Sequence, residues 1–537
     1  MNVEGRKLLH MWKNAALALL SAILLFLSFP DFGYWFLAWI ALVPLFFAIE
    51  REKESVVRSF ILGWVWGFVF FTGTCWWLTF APITYAGFPP IVAYLLLLCV
   101  TAIVGVFPGI FAAILAVLLR RFGSIAILAA PFIWVFSEFL RYWLTGNNWN
   151  AIGYSQAFVS IFTFWPAVGG ALSVSWIVVL LNATWILFYC RSPFRPKLGS
   201  VGLPVAATAA VLVVGAFIGA FSKWLMLNTH ESSLSPRGKN QVIAIQPNVP
   251  MSGLTYEKWK QLRTKHVELA EAALNQQATD HRPPTTVIFP ESPMNFAFEE
   301  DAEFRNFVHA FAAKNNVNVL FNSAEPDPAN DKYFNSAVLV GTDGKEIAQY
   351  DKIYLLPFGE SVPGPLQAIV PAFVGSFSYG KEYDLLPIGD AKAGVMICFE
   401  SHFGELSREY VRNGADVLIE MTNDGYLGPT PVLKQHLANA VFRAAETNRP
   451  VLRVTNVGIT AYINEHGSVI DPAQSYTEDS RVWSVAKSDG AQTFYVKYGD
   501  WFAWLCSIVT LVSLALSFKP KRALNTPNDI RNASSDP

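Results

Sequence analysis

With 537 residues, 53% of them hydrophobic and only 15% charged, the chain is too apolar to be wholly soluble, and part of it is expected in lipid. A formal net charge of -1 supplies no basic field, which argues against nucleic acid as a partner. The five cysteines (Cys75, Cys99, Cys190, Cys398, Cys506) form no C-x-x-C pair and do not alternate with histidine, so no metal site, disulfide framework or cofactor is expected.

In chain order, apolar runs occupy Ala15 to Phe29, Tyr34 to Ile49, Val57 to Phe80, Ile91 to Leu119, Ile125 to Trp143, Leu172 to Tyr189, Val201 to Phe221 and Trp501 to Phe518. A helical crossing needs roughly 20 residues, so the pattern predicts a polytopic α-helical membrane domain of about eight spans. The first two runs are short and separated by Pro30-Asp31-Phe32-Gly33, where a re-entrant hairpin competes with two tilted spans. A signal peptide is disfavoured, because no small-residue cleavage site follows Lys13 and more apolar runs do.

Alternate connections carry Arg6, Lys7 and Lys13; Arg51, Lys53 and Arg58; Arg120 and Arg121; Arg191, Arg195 and Lys197; and Lys519, Lys521 and Arg522, against Arg141 alone on the other side. Basic loops stay cytoplasmic, which predicts cytoplasmic termini and an outward-facing insert. Trp35, Trp76, Trp77, Trp143, Trp149 and Trp165 fall near the outer span ends, as an interfacial belt or as helix-packing residues. The expected domains are 1–221 (about seven membrane helices), 222–500 (an extracytoplasmic catalytic domain), 501–518 (the final span) and 519–537 (a disordered cytoplasmic tail).

From about Lys239 short β-rich runs alternate with amphipathic stretches, the pattern of an α/β layer fold. Strands are expected at 241–246, 286–290, 317–321, 393–398, 416–420 and 450–456. Helices are expected at 256–275, 300–314, 403–413 and 431–448, with hairpin turns at 342–345 and 465–467. Three strand ends finish in reactive residues: Glu291 in IFPE, Lys352 and Glu360 in YDKIYLLPFGE, and Cys398 with Glu400 in VMICFE. In open α/β sheets such ends converge on a ligand site. A carboxylate that takes the thiol proton, a thiolate that attacks a carbonyl and an ammonium that offsets the oxyanion make an acyl-transfer site. Cys398 is also the only cysteine between residues 222 and 500. Taken alone, it could equally be an inert buried thiol at a strand end.

FPE at 289–291, the Lys352-to-Glu360 run ending in PFGE, and ICFE at 397–400 resemble, in order and separation, three segments of the nitrilase superfamily. The resemblance implies an αββα sandwich with Glu291 as general base, Lys352 as oxyanion stabiliser, Cys398 as nucleophile, and Glu360 in support. Within that superfamily the chain is similar over nearly its whole length to the apolipoprotein N-acyltransferase family, where such a domain is inserted before the last of eight spans. QPNVP (246–250), TND (422–424) and RVTNVGITA (453–461) match further. The chain departs from that family at Gly425-Tyr426-Leu427, where Ala-Trp-Phe is usual, and at Phe399, where tyrosine is common.

The resemblance implies a bacterial inner-membrane enzyme with its catalytic domain in the periplasm. Cys398 would take an acyl chain from a membrane phospholipid, typically the sn-1 chain of phosphatidylethanolamine, and pass it to the α-amino group of the diacylglyceryl-cysteine of an apolipoprotein. The bilayer holds both substrates. A membrane-tethered carbon-nitrogen hydrolase using the same triad is the alternative. A non-catalytic scaffold or transporter is disfavoured by the intact triad, and among the spans only Glu138 with Arg141 suggests a transport pathway.

Other residues are open in the sequence. His402 could form a dyad with Cys398; Glu400 could orient Lys352 or satisfy backbone donors; Glu360 could be a solvated loop carboxylate; Asn423 and Asp424 could cap a turn or serve the site. The apolar loop from Pro357 to Tyr379, with Leu366 and Phe373, is expected to form a lid that dips into the bilayer surface, or else to pack under the domain.

Overall fold

The computed structural model describes residues 3–30, 32–159, 162, 164–191, 240–277, 284–292, 296–362 and 377–520. The expected span from Val201 to Phe221, the centre of the proposed lid including Leu366 and Phe373, and the tail beyond 520 lie outside the described residues.

The N-terminal half is helical: α1 (Val3–Phe26), α2 (Val43–Glu52), α3 (Val56–Thr74), α4 (Phe80–Thr84), α5 (Pro90–Val104), α6 (Val106–Phe122), α7 (Ala130–Thr145), α8 (Phe164–Gly169) and α9 (Ala171–Arg191). Among the described residues, α3 and the helical stretch Pro90–Thr145 are long and apolar enough to cross a membrane, with shorter apolar helices at Met11–Phe26, Ala171–Ile186 and Trp501–Ser517. The apolar run from Ile91 to Leu119, which reads as one span, is divided at Gly105 into α5 and α6. Close helix approach explains the glycine: a Cβ at Gly67 of α3 would lie 2.9 Å from the Gly105 Cα, a separation no side chain tolerates. Gly63 and Gly67 together form the small-residue face on which α3 meets α6, the usual device where apolar burial alone cannot drive helices together. The second expected run is carried by a 3-10 turn at Trp35–Trp39 followed by α2, whose ten residues rise only about 15 Å. Pro44 at the start of α2 fits that new beginning.

The remainder is a two-sheet sandwich. The first sheet has the order β13 (Asp479–Val485), β1 (Asn240–Gln246), β2 (Thr285–Ile288), β3 (Asn318–Asp327), β4 (Lys332–Val340), β5 (Glu346–Asp351), with β6 (Phe377–Ser378) beside β4. The second runs β12 (Val469–Ile470), β11 (Ala461–Ile463), β10 (Val451–Thr455), β9 (Val417–Thr422), β8 (Ala391–Ile397), β7 (Leu385–Ile388). Each has a parallel core, β1-β2-β3 in one and β8-β9-β10 in the other, flanked by antiparallel strands, with only the short β6 adding a parallel pair to β4 among the described residues. Helices α10 (Tyr256–Asn275) and α11 (Ala302–Asn315) belong to the first sheet, and α12 (Gly404–Arg412) and α13 (Val432–Thr447) to the second. A short helix, α14 (Phe494–Tyr498), leads into the apolar α15 (Trp501–Ser517).

The strand period of two decides the layers. Val242, Ala244, Ile288 and Leu320 pack between the sheets with Val395, Ile397 and Leu452. Their neighbours Ile243, Ile245, Val287 and Val319 pack instead under α10 and α11, against Leu274, Val308 and Phe311. The six strands and four helices expected from the sequence are all present, with boundaries displaced by a few residues.

The sandwich rests on the helical half through α13. Gln435 is the centre of this contact. Its side-chain oxygen accepts from Trp77 Nε1 (3.1 Å), Trp149 Nε1 (3.0 Å) and Asn150 Nδ2 (3.2 Å), and its amide donates to the Thr74 carbonyl (3.0 Å). Two of the tryptophans expected near the bilayer surface therefore serve this contact, whereas Trp143, 63% exposed, keeps an outward face.

Candidate active site

The site lies where the two sheets meet, at the carboxyl ends of their strands. Glu291 follows β2, Lys352 follows β5, and Cys398 follows β8. Their convergence is direct. The Lys352 ammonium lies 3.6 Å from Glu291 Oε1 and donates to Glu360 Oε1 at 2.8 Å. The Cys398 sulfur lies near enough to feel the charges of both the Glu291 carboxylate and the Lys352 ammonium.

The groups that hydrogen-bond or pair with that carboxylate are donors. Asn335 Nδ2 donates to Oε1 at 3.2 Å and the Asn423 backbone N–H to Oε2 at 3.2 Å, with the ammonium and the thiol beside them. An oxygen pair so surrounded is set up as an acceptor, which is the state a general base requires. Burial, with repulsion from Glu360, raises the Glu291 pKa in spite of Lys352, so the ionised group is a stronger base than a free carboxylate. Burial also raises the Cys398 thiol, and Glu291 adds to this while Lys352 opposes it. The resting sulfur is consequently a thiol that needs a base. Burial opposes the charge on Lys352, which is only 1% exposed, but attraction to Glu360 and then Glu291 outweighs it and keeps the side chain cationic.

Glu360 is no solvated loop carboxylate. Its second oxygen accepts from Leu356 N at 2.7 Å, and Asn335 donates to the first at 2.6 Å, so Asn335 bridges the two acids that flank the lysine. Asn335 itself was not singled out in the sequence. Its signal was an asparagine inside the strand YFNSAVLV, a position where that residue is disfavoured without a special partner.

Glu400 resolves toward backbone donors. It accepts from Ile353 N (2.7 Å), Tyr354 N (3.0 Å), Ile397 N (2.8 Å) and the Tyr350 hydroxyl (2.8 Å), tying the loop after Lys352 to the loop of Cys398. Burial pushes its carboxyl up to about 7. Phe399 stacks on His402 at 5.7 Å and meets Phe403 edge-on at 5.2 Å, so it braces the turn after Cys398. The Cys398–His402 dyad does not form in this arrangement, because His402 Nε2 accepts from the Asn148 backbone N–H (3.0 Å) and its ring stacks on Trp149.

Cys398 is one of few non-glycine residues with a left-handed backbone, at φ 53°. Such a conformation costs on the order of 1–3 kcal/mol and persists only where surroundings impose it. The ties on either side are visible: Ile397 N donates to Glu400, and the Cys398 carbonyl is met by His436 Nε2 at 3.0 Å. His436 carries no signal in the sequence, because it lies on the helix α13 among the buried apolar residues Leu433, Leu437 and Val441. Asp424 likewise is buried beside His436 and Arg453.

Comparison with known proteins gives two family matches: the apolipoprotein N-acyltransferase N-terminal domain over residues 21–184 and carbon-nitrogen hydrolase over residues 242–492. The chain is 31% identical over 519 residues to the apolipoprotein N-acyltransferase of Geobacter metallireducens, covering 95% of this chain and 96% of that one. It is 27% identical over 528 residues to the Pasteurella multocida apolipoprotein N-acyltransferase, again covering 95% and 96%. The crystal structure of Saccharomyces cerevisiae Nit3, a member of branch 10 of the nitrilase superfamily, aligns at 18% identity over 48% of this chain and 94% of its own, with a TM-score of 0.36.

Proposed function

The chain belongs to the apolipoprotein N-acyltransferase family, and from that membership and the geometry above we propose that it moves an acyl chain from a membrane phospholipid to an apolipoprotein's N-terminal amine through a thioester on Cys398. The observation that carries the proposal is the convergence of Glu291, Lys352 and Cys398 at three strand ends, with the ammonium 3.6 Å from the carboxylate and the charges of both felt at the sulfur.

Glu291 takes the thiol proton as the sulfur attacks the ester carbonyl of the phospholipid, typically the sn-1 ester of phosphatidylethanolamine. The carbonyl electrons move to oxygen, beside the Lys352 ammonium, which offsets the developing charge. Collapse breaks the ester C–O bond, and the departing lysophospholipid takes the proton from Glu291. In the second half, the neutral amine of the diacylglyceryl-cysteine attacks the thioester. Glu291 removes the amine proton and returns it to the thiolate as the amide forms. Glu360 and Asn335 hold Lys352 and Glu291 at fixed separation throughout.

Both substrates are lipid-anchored, so a site tied to membrane helices spares their extraction. We assign residues 1–221 and 501–518 to the bilayer as eight spans, 222–500 to the periplasmic face of the bacterial inner membrane, and 519–537 to a cytoplasmic tail. The basic connections and the apolar helices support that assignment.

The test is incubation of the full-length protein with labelled phospholipid and mass analysis of the Cys398 peptide. An acyl adduct is expected in the wild type and absent in Cys398→Ala, and a diacylated lipopeptide should discharge it to an amide. Discharge to free fatty acid alone would favour the carbon-nitrogen hydrolase reading.

A further inference from the structure

Behind the nucleophile sits a closed group of four ionisable side chains. His436 Nδ1 is 2.6 Å from Asp424 Oδ1, and its Nε2 is 3.0 Å from both the Cys398 carbonyl and Glu420 Oε1. Arg453 pairs with Glu420 and, at 2.6 Å, with Asp424 Oδ2. All four residues are buried, His436 and Asp424 being the most accessible at 3%.

The partners of the imidazole decide its state. Carboxylate and carbonyl oxygens face both ring nitrogens, and only a nitrogen that carries hydrogen satisfies them. A neutral ring would aim a lone pair at an acceptor in a buried site, at the cost of an unmade hydrogen bond. With both nitrogens protonated the group holds two positive and two negative charges, the balance a buried cluster needs. The attraction of Asp424 and Glu420 outweighs burial and Arg453, raising the pKa of the ring to about 9.

We propose that His436, kept as an imidazolium by Asp424 and Glu420, is a positioning residue for the nucleophile: its Nε2–H clamps the Cys398 carbonyl and so holds the left-handed backbone that aims the thiol at Glu291. The clamp is itself anchored, because the preceding residue, Gln435, is fixed on the membrane half through Trp77, Trp149, Asn150 and Thr74. The inference rests on Cys398 acting as the nucleophile.

The experiment compares wild type, His436→Ala and His436→Gln as full-length proteins in mixed phospholipid micelles. Two rates are followed: single-turnover formation of the Cys398 acyl adduct across phospholipid concentration, and alkylation of Cys398 by iodoacetamide. In His436→Ala the maximal acylation rate should fall on the order of 10²-fold, the loss expected of a nucleophile misaimed by about an ångström. The phospholipid concentration at half-maximal rate should stay unchanged, and His436→Gln, which keeps one donor, should fall between. A purely structural role would lower the melting temperature while leaving the acylation rate of the folded fraction at the wild-type value, and that result overturns the proposal. Nitrogen NMR of the wild type labelled in histidine decides the matter if the variants fail to fold: both His436 ring nitrogens should be protonated at neutral pH, and an unprotonated one overturns it. A wild type that takes no acyl chain would instead sink the acyl-transfer reading, while alkylation and NMR still judge His436.

Discussion

Glu291 and His436 have opposite surroundings, and the contrast fixes what each can do. Donors ring the carboxylate, so it is held ready to accept a proton. Acceptors ring the imidazole, so its protons are held in place and it cannot serve as a base. A pH signature follows. The His436 pKa is raised from 6.5 to about 9 on folding, so its stabilisation is complete below the unfolded value and is lost as pH rises through about 9. Asp424 has the reverse sign: Arg453 and His436 outweigh burial and depress it to about 2, so its contribution holds above 3.8 and disappears as pH falls toward 2. Thermal unfolding of wild type and His436→Gln at several pH values should show a stability gap at neutral pH that closes as pH is raised past about 9. A gap that widens over that range would contradict the protonated ring. At this scale the sequence exposed Glu291, Lys352, Glu360 and Cys398, because each sits in a short segment with a chemical reading of its own. Asn335 and His436 stayed hidden because their roles exist only through partners tens of residues away, across a strand register or a sheet seam.

Among the elements, α13 does the most to position the site, and its faces differ in purpose. Gln435 meets the helical half, His436 meets the Cys398 carbonyl, and Glu446 accepts from Ala171 N (2.8 Å) at the start of α9. Replacing Gln435 with leucine takes the acceptor from Trp149 Nε1, while Trp77 Nε1 keeps the Thr74 carbonyl and Asn150 Nδ2 keeps Cys75 Sγ. An unmade bond of that kind costs about 1–3 kcal/mol, and a loss of that size is expected in denaturant unfolding of the detergent-solubilised protein. A change no larger than that of an exposed control such as Lys345→Ala would show the contact to be incidental. Strands buried on both faces were legible as apolar runs, as were helices with a stripe. The edges were not: β13 contains Asp479, Ser480 and Arg481, and its partner β1 lies more than two hundred residues upstream, a pairing no local pattern reveals. The division of one apolar run into α5 and α6 was also invisible, since Gly105 reads as a tolerated glycine until α3 is packed against it.

For the molecule as a whole, the proposed orientation is the property to test. In a chain whose five native cysteines are replaced by serine, single cysteines at Glu346, exposed on the edge strand β5, and at Glu54, exposed in the turn before α3, should respond oppositely to a membrane-impermeant maleimide. In intact spheroplasts Glu346→Cys should label and Glu54→Cys should not until lysis. The inverse pattern would put the sandwich in the cytoplasm and remove lipoprotein precursors as substrates. The arrangement of the site across two sheets carries one more implication. Glu291 and Lys352 hang from the first sheet, Cys398 and His436 from the second layer, and among the described residues no strand ladder joins the two sheets. A small shear of one layer over the other leaves both hydrogen-bonded ladders whole yet parts acid from sulfur. The enzyme's chemistry is thus a more delicate gauge of interlayer alignment than its secondary structure, and warming should silence turnover well before the strands themselves come undone.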